Sequence, residues 1–526
     1  MRILLVSLLF AARIQAVTMP GEGERWSRLD SGNVVIFSND RNGATRRVAE
    51  NIERMRLTIA HVTRLTVQSP MPTYVYLFQN DAGFGPYRDA LVGPNHNVVG
   101  IYIVQPSANY MLLGGGNGEI QRVVYHEIAH SFLHNTVAGL PLWLDEGLAE
   151  FYSTYQPFAD SVRIGLPLRE HLSFLSEHGM MPLRELFAFQ PHTHGEGDLK
   201  TNQFYAESWL LAHYLLVGNP TRGAQLGDFL TRLDQALPLD TAFGAAFHTT
   251  IEDFGRELNA YRNRSLLTFI SYSRQEIGPV KIGDPKPVAR TEILTALGEL
   301  LELTPKPADA RPFLQEAVKL DPNNARALAL LGLLNGDEAM VTRAVAIDTP
   351  DYRPFADVAG TRVSGFQSEA RNGTVIAPAL IAETRRLALL ACKRAPDNPD
   401  VLSTLGATYT FPGEDARLGI QWSAKSYALA PSRVDVAADL VLLYARAGKP
   451  DLAKAMFERV LVPSHNEHLI AQARENFAVA EFDNALESLQ AGRKDDAARL
   501  FARARDLTSN KKLKQVIEAR LGNPPG

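Results

Sequence analysis

The chain has 526 residues, of which 45% are hydrophobic and 21% are charged, and its formal net charge at pH 7 is −4. This composition is typical of a globular protein with two or three domains, and the small negative charge gives no indication of a nucleic-acid-binding surface, so we expect no nucleic-acid partner. The single cysteine, Cys392, excludes an internal disulfide framework and a cysteine-ligated metal site.

The amino terminus carries a targeting pattern. Arg2 precedes an apolar run from Ile3 to Ala12, and Ile14-Gln15-Ala16 is a candidate cleavage site. The pattern predicts a signal peptide at residues 1–16 and therefore a periplasmic or secreted protein. The run is too short to span a membrane, so we expect no transmembrane segment in the mature chain. The alternative is a cytosolic chain that begins with an apolar strand.

Residues 25–275 are predicted to form one domain that contains both strands and helices. Three segments rich in β-branched and aromatic residues predict strands, at 34–37, 74–78 and 98–104. Apolar residues recur at helical spacing from Ala44 to Leu65. The segment from Gly83 to Asn97 is rich in Gly, Pro and Asn and is predicted to be a loop.

Residues 126–130 are His-Glu-Ile-Ala-His. On a helix, residues four apart lie on the same face, so His126 and His130 can direct two imidazole nitrogens at one point. Neutral imidazole suits Zn²⁺, which takes three protein ligands in catalytic sites and leaves a fourth position for water. Glu127 is placed to take a proton from that water. The alternative is a pair of core histidines on a buried helix.

The third ligand is expected from a second helix. A Gly-Leu-Pro turn at residues 139–141 precedes a predicted helix that begins near Leu142 and returns antiparallel to the first. Such a helix would present Glu146 to the metal. Glu150 lies four residues later on the same face, where it could hydrogen-bond a ligand histidine from behind. The sequence therefore predicts a zinc site with the ligands His126, His130 and Glu146.

The segments HEIAH at 126–130 and WLDEGLAE at 143–150 together resemble the gluzincins, a group of zinc metallopeptidases. The resemblance implies that Glu146 is the third zinc ligand and that Glu150 hydrogen-bonds the first ligand histidine. It also implies that the strand at 99–104 could pair with an extended substrate. An ordinary strand of the sheet is the alternative.

The same resemblance suggests a role for Tyr205. Residues 201–217 are predicted to form a helix, and gluzincins of this kind often carry, on a helix after the third ligand, a Tyr followed three residues later by Ser or Gly. Tyr205 and Ser208 match that pattern. The Tyr would donate a hydrogen bond to the oxyanion that develops during hydrolysis. The alternative is a structural hydrogen bond, and a structural role is also expected for His213 on the same helix.

The carboxy-terminal half has a different character. Residues 276–289 are rich in Pro and Gly and are predicted to be a linker. From residue 290 to residue 526 the chain is rich in Ala and Leu, and the segment 447–453 is echoed at 491–497. This pattern resembles tetratricopeptide repeats, in which helix hairpins stack into a superhelix with a concave face.

Taken together, the sequence predicts an α+β chain, with a gluzincin-like domain at 25–275 and an all-α tetratricopeptide-like solenoid at 290–526. The expected function is zinc-dependent hydrolysis of a peptide or protein substrate by a metal-activated water, with a protein partner bound by the repeats. One alternative is a non-catalytic repeat protein whose zinc site is idle or structural. Another is a zinc hydrolase that acts on a non-peptide amide.

Overall fold

A computed structural model describes residues 17–32, 34–67, 70–93, 100–114, 120, 122–137, 139–189, 198–235, 237–371, 373–464 and 466–522. The predicted signal peptide at residues 1–16 lies outside the described residues. Among the described residues, we find no helix whose length and apolar character would let it span a bilayer.

Strands and helices are mixed in the first part of the chain, and helices predominate later. The first elements are β1 (Ser27–Ser31), β2 (Val34–Ser38), α1 (Asn42–Thr63), β3 (Thr73–Phe78), α2 (Asp81–Val92), β4 (Gly100–Val104), β5 (Asn109–Gly114), α3 (Arg122–His134), α4 (Leu142–Ser153), β6 (Gln156–Pro157) and β7 (Ser161–Ile164). They are followed by α5 (Arg169–His178), α6 (Leu183–Ala188), α7 (Leu199–His213), α8 (Arg222–Asp234), α9 (Leu239–Phe247), α10 (Ile251–Arg262), β8 (Ile270–Ser273), α11 (Arg274–Ile277) and β9 (Lys286–Pro287).

The rest of the described chain is helical. Its helices are α12 (Arg290–Leu301), α13 (Arg311–Leu320), α14 (Ala325–Asn335), α15 (Glu338–Ala346), α16 (Arg353–Arg371), α17 (Pro378–Arg394), α18 (Pro399–Ala407), α19 (Ala416–Leu429), α20 (Val434–Arg446), α21 (Pro450–Met456), α22 (Glu467–Gln490), α23 (Lys494–Leu507) and α24 (Lys511–Gly522). This mixture of sheets and many helices agrees with the predicted α+β class.

The chain forms two compact units. The first contains Met1–Ile52, Met71–Val124 and Val280–Val358, and the second contains Glu53–Pro70, Tyr125–Pro279 and Ala359–Gly526. Each unit is described separately below.

The first unit is built on a sheet that has six strands among the described residues, in the order β4-β5-β3-β2-β1-β9. Strand β3 is parallel to both of its neighbours, β2 and β5, whereas the remaining pairs are antiparallel. Every residue of β3 is buried. A continuous apolar strand is expected at the centre of a sheet that is covered on both faces.

The predicted loop from Gly83 to Asn97 is wrong in its first part, because α2 extends to residue 92. The side chain of Asn80 caps this helix by accepting a hydrogen bond from the backbone N–H of Gly83 over 3.1 Å. Phe84 and Tyr87 are buried and pack on the aromatic ring that ends β3. The burial of these rings outweighs the low helix propensity of the glycines and the proline in the segment.

The segment predicted to be a linker, 276–289, contains β9, which pairs with β1. The helices that follow belong to the same core as the sheet, since leucines of α12, α13 and α14 are buried together with the strand aromatics. In addition, the hydroxyl of Tyr76 donates to the backbone carbonyl of Ala296 over 2.8 Å. The grouping of residues up to Val358 with the sheet therefore differs from the predicted boundary. The tetratricopeptide-like identity of 290–526 stays a prediction.

A buried ion network joins these helices to the sheet within the first unit. Glu299 accepts a hydrogen bond from the hydroxyl of Tyr110 over 2.8 Å and lies 3.0 Å from a guanidinium nitrogen of Arg326. Arg353 approaches the other Glu299 oxygen at 3.4 Å. Burial by itself would raise the pKa of Glu299, but the charges of Arg326 and Arg353 hold it below its usual value. The carboxylate is therefore ionised at neutral pH.

Replacing Arg326 with Ala is expected to lower the free energy of unfolding by about 3–5 kcal/mol, because it leaves the buried Glu299 carboxylate undercompensated. The midpoint of urea unfolding measures this change. Lys319→Ala is the matched control, because that lysine pairs with Glu316 at the surface of α13 and should contribute less than about 1 kcal/mol. Equal losses in the two variants would contradict the prediction.

The second unit combines a small sheet with many helices. Among its described residues the strands β6, β7 and β8 pair antiparallel in that order. Helix α4 packs closely on α7 at Gly147, where a Cβ atom would overlap the backbone of Ser208. From α17 to α21 and from α22 to α24, helices that follow one another in sequence pack against each other, and α22 packs on α20. One close approach uses Gly406 of α18, where a Cβ would overlap the side chain of Ser423 on α19.

Candidate metal centre

Two helices of the second unit carry the candidate ligands. Helix α3 ends at His134 and buries Ile128 and Phe132 on its apolar face. Gly139 adopts a positive φ of 64°, and α4 begins directly after Pro141, as predicted. Across this turn, histidines of α3 lie within 3.4 Å of carboxylates of α4.

The predicted ligand atoms converge. The Nε2 atoms of His126 and His130 lie 3.1 Å apart. Each of them lies 3.4 Å from Oε2 of Glu146. All three side chains are largely shielded from solvent, with exposures of 13%, 13% and 14%. The three predicted ligands thus form one compact triangle of two nitrogens and one oxygen.

The size of this triangle fits a zinc ion. Zinc–ligand bonds of 2.0–2.2 Å in tetrahedral geometry place the ligand atoms about 3.3–3.6 Å from one another. The two observed separations of 3.4 Å lie in this range, and the third, 3.1 Å, is slightly shorter. In addition, Oε2 of Glu146 is buried and accepts no hydrogen bond from any described residue. A buried carboxylate oxygen without a donor is costly unless a cation satisfies it.

A carboxylate lies behind each ligand histidine. Nδ1 of His126 is 3.4 Å from Oε1 of Glu150, and Nδ1 of His130 is 3.1 Å from Oδ1 of Asp145. These carboxylates favour the tautomer that keeps the proton on Nδ1, which leaves the Nε2 lone pair free for a metal. Glu150 was expected in this position from the sequence. Asp145 was missed, because spacing alone does not show which side of α4 faces the second histidine.

The site carries an excess of negative charge. Burial opposes protonation of His126, but the adjacent carboxylates of Glu146 and Glu150 outweigh it and raise the pKa to about 9. Burial likewise opposes protonation of His130, whose pKa is raised to about 10 by Asp145 and Glu146. Burial would raise the pKa of each of the three carboxyl groups, but the imidazoles hold all of them below their usual values. The cluster therefore favours a cation, either as bound protons or as a metal ion.

Two further histidines lie at the site, and neither was predicted from the sequence. Nε2 of His134 lies 2.8 Å from the second oxygen of Asp145. Nε2 of His171, on α5, lies 3.4 Å from the second oxygen of Glu150. The signal for His134 was its place four residues after His130 on the same face of α3. No local pattern points to His171, because tertiary packing alone brings α5 to the site.

Glu127 differs from the other acidic residues of the site. It is half-buried on α3 next to the first ligand histidine. Its side chain forms no hydrogen bond or ion pair with the described part of the chain. Its carboxylate is therefore available to a water molecule or a substrate, as a general base requires.

The helix predicted at 201–217 is present as α7, followed by a π-helical turn at Tyr214–Gly218. Tyr205 is half-buried, and its ring lies edge-on to Phe204 at 5.6 Å. Its role as an oxyanion donor stays a prediction. His213 is fully buried, with Nδ1 2.8 Å from the hydroxyl of Tyr261 and Nε2 2.9 Å from the carbonyl of Gly165. Both ring nitrogens have partners within the fold, which is a structural role.

Glu207, two residues after Tyr205, is fully buried and accepts a hydrogen bond from the backbone N–H of Met181. Burial raises its pKa from an ordinary value of 4.5 to about 8. The folded chain therefore keeps this proton between pH 4.5 and pH 8, whereas the unfolded chain releases it. Folding stability consequently falls as the pH rises through this window.

The substitution Glu207→Gln should remove this pH-dependent loss of folding stability. The free energy of unfolding of the variant, relative to the unmutated chain, should rise by up to about 1.4 kcal/mol per pH unit between pH 4.5 and pH 8. Urea unfolding of both proteins across this range, in the presence of a chelator, measures the difference. Exposed Glu177→Gln on α5 is the control, and its difference from the unmutated chain should not vary with pH. A pH-independent difference for Glu207→Gln would contradict the prediction.

Comparison with known proteins assigns no family to the chain. A scan against protein-family models finds no match, and a search of curated proteins finds none either.

Proposed function

We propose that this protein is a zinc-dependent metallopeptidase that hydrolyses peptide bonds. The observation that carries the proposal is the triangle formed by Nε2 of His126, Nε2 of His130 and Oε2 of Glu146, with sides of 3.1 and 3.4 Å. Two imidazoles and one carboxylate are a known ligand set for catalytic zinc, in which the fourth position stays open. The shape of the site and its negative charge both favour Zn²⁺ there.

The residues around the triangle have distinct tasks in this proposal. When bound, Zn²⁺ supplies Lewis-acid polarisation, which makes water a nucleophile at neutral pH. Glu127 accepts a proton from the attacking water and delivers it to the nitrogen of the leaving amine. Asp145 and Glu150 keep the ligand histidines in the correct tautomer. Tyr205 donates a hydrogen bond to the oxygen of the scissile carbonyl as negative charge develops there.

The direct test combines a metal analysis with a substrate screen. We expect about one zinc per chain in the purified protein and cleavage of peptide bonds in a mixed peptide library. A protein that purifies without metal and cannot be loaded with zinc would refute the proposal. Bound zinc without hydrolysis would instead favour an idle or structural site. Hydrolysis restricted to non-peptide amides would favour the second alternative.

We also propose that the helices after residue 290 bind a protein partner and that the protein acts in the periplasm or outside the cell. The first part is supported by the packing of successive helices from α17 to α21 and from α22 to α24, with small residues such as Gly406 at close helix contacts. Repeats of paired helices present extended binding surfaces. The second part depends on the sequence pattern of residues 1–16 alone.

A further inference from the structure

Two histidines outside the proposed set of zinc ligands occupy corresponding places around the metal centre. His134 lies 2.8 Å from Oδ2 of Asp145, whose other oxygen faces the ligand His130. His171 lies 3.4 Å from Oε2 of Glu150, whose other oxygen faces the ligand His126. Each ligand histidine thus faces one carboxylate, and the other oxygen of each carboxylate faces a further histidine. We call His134 and His171 the outer histidines.

We infer that His134 and His171 are positioning residues that hold Asp145 and Glu150 in the orientation that the two ligand histidines require. The inference rests on the proposed zinc site of the preceding subsection. It adds a third layer to that site, in which the outer histidines act on the metal only through the carboxylates.

A carboxylate with one partner can rotate, because the terminal torsion of Asp or Glu is broad and a single partner orients the group weakly. Asp145 is held at both oxygens by hydrogen bonds of 3.1 and 2.8 Å, and both oxygens of Glu150 face imidazole nitrogens at 3.4 Å, so rotation of either carboxylate would break one of these contacts. The orientation of Asp145 in turn decides whether Nδ1 of His130 keeps its proton and Nε2 its lone pair. Removing an outer histidine should therefore weaken metal binding without removing a ligand.

The surroundings of the two outer histidines predict different sizes of effect. The side chain of His171 is 16% exposed, and its ring lies 5.8 Å from that of Trp209. The side chain of His134 is 43% exposed. Water can replace a lost donor at an exposed position more readily than at a buried one. We therefore expect the larger loss of zinc affinity for the variant at His171.

His130, His134 and Asp145 could alternatively hold a second metal ion. The distances favour the hydrogen-bonded arrangement. The separation of 2.8 Å between His134 Nε2 and Asp145 Oδ2 is a hydrogen-bond distance, shorter than the roughly 3.3–3.6 Å between ligands of tetrahedral zinc. His130 would also have to serve both metals. We therefore assign His134 to positioning, and the metal content of the protein tests this assignment.

The test uses the full-length chain with His134→Ala, His171→Ala and the corresponding Gln variants, which keep an N–H donor at a similar reach. The control is His178→Ala, since this exposed histidine of α5 contacts only its own helix in the interactions that involve its ring. Zinc affinity is measured by competition with a chromophoric chelator. The visible spectrum of the Co²⁺-loaded protein reports the ligand geometry, and circular dichroism checks the fold.

Both Ala variants should bind zinc about 10–100-fold more weakly and shift the Co²⁺ spectrum. The Gln variants should recover most of the affinity, and the control should match the unmutated chain. Ala variants with unchanged affinity and spectrum would overturn the inference alone. A second zinc per chain that is lost in His134→Ala would also overturn it and make His134 a ligand. An unmutated chain that binds no zinc would refute the proposed function, and the inference with it.

Discussion

Glu127→Gln is expected to lower the rate of peptide hydrolysis by about 10²–10⁴-fold while the protein keeps its zinc. The amide has nearly the shape of the carboxylate but cannot accept a proton from water. The side chain of Glu127 forms no hydrogen bond or ion pair with the described residues, so the substitution should leave the ligands in place. The measurement is kcat on a peptide that the screen identifies, together with zinc per chain.

The control for this variant is Glu177→Gln, an exposed position on α5 that should retain full activity. Hydrolysis at the unmutated rate by Glu127→Gln would show that another group is the base. Loss of zinc along with activity would show that Glu127 supports the metal, and the argument for proton transfer would then fail.

His126→Ala and His130→Ala are expected to abolish stable zinc binding. Each variant leaves only two of the three ligand atoms and leaves the buried carboxylate of Glu146 with fewer positive partners. The loss of zinc affinity should exceed the roughly 10–100-fold loss that is expected when a residue that hydrogen-bonds a ligand is removed. Metal per chain after dialysis against a weak chelator, followed by peptide hydrolysis, measures both consequences.

His178→Ala is the matched control here as well, because it removes an imidazole at the surface and should retain about one zinc per chain. Full zinc occupancy in His126→Ala would contradict the ligand assignment. If zinc then disappeared in His134→Ala, the cluster of His130, His134 and Asp145 would be the metal site instead.

Several features of the fold could be predicted from local sequence. The start of α4 follows from the glycine turn and proline that precede it, and the three predicted strands, β2, β3 and β4, follow from their β-branched and aromatic residues. Helix α2 could not be predicted, since its Gly-rich and Pro-containing segment is a poor helix former by itself. The ring contacts of Phe84 and Tyr87 with the end of β3 supply the stabilisation that propensity lacks.

The attachment of α12 to the sheet also lay beyond local sequence. A Pro- and Gly-rich segment such as 276–289 is typical of a linker, but composition does not show what the following helix buries. Leu294 and Leu297 are fully buried in the core that contains the strand aromatics. A leucine-rich helix face specifies only that it will be covered and not which surface covers it.

The sequence by itself determined the part of the candidate site that α3 supplies. His126 and His130 share a helix face because of the helical period, and this makes them a pair in any fold that keeps the helix. Only the tertiary structure decided which groups lie opposite and behind them. The contact of Gly147 with the backbone of Ser208 sets how α4 lies against α7. Long-range packing of this kind also brings His171 to the site, because a side chain from a distant helix is positioned by the packed core and not by its sequence neighbours.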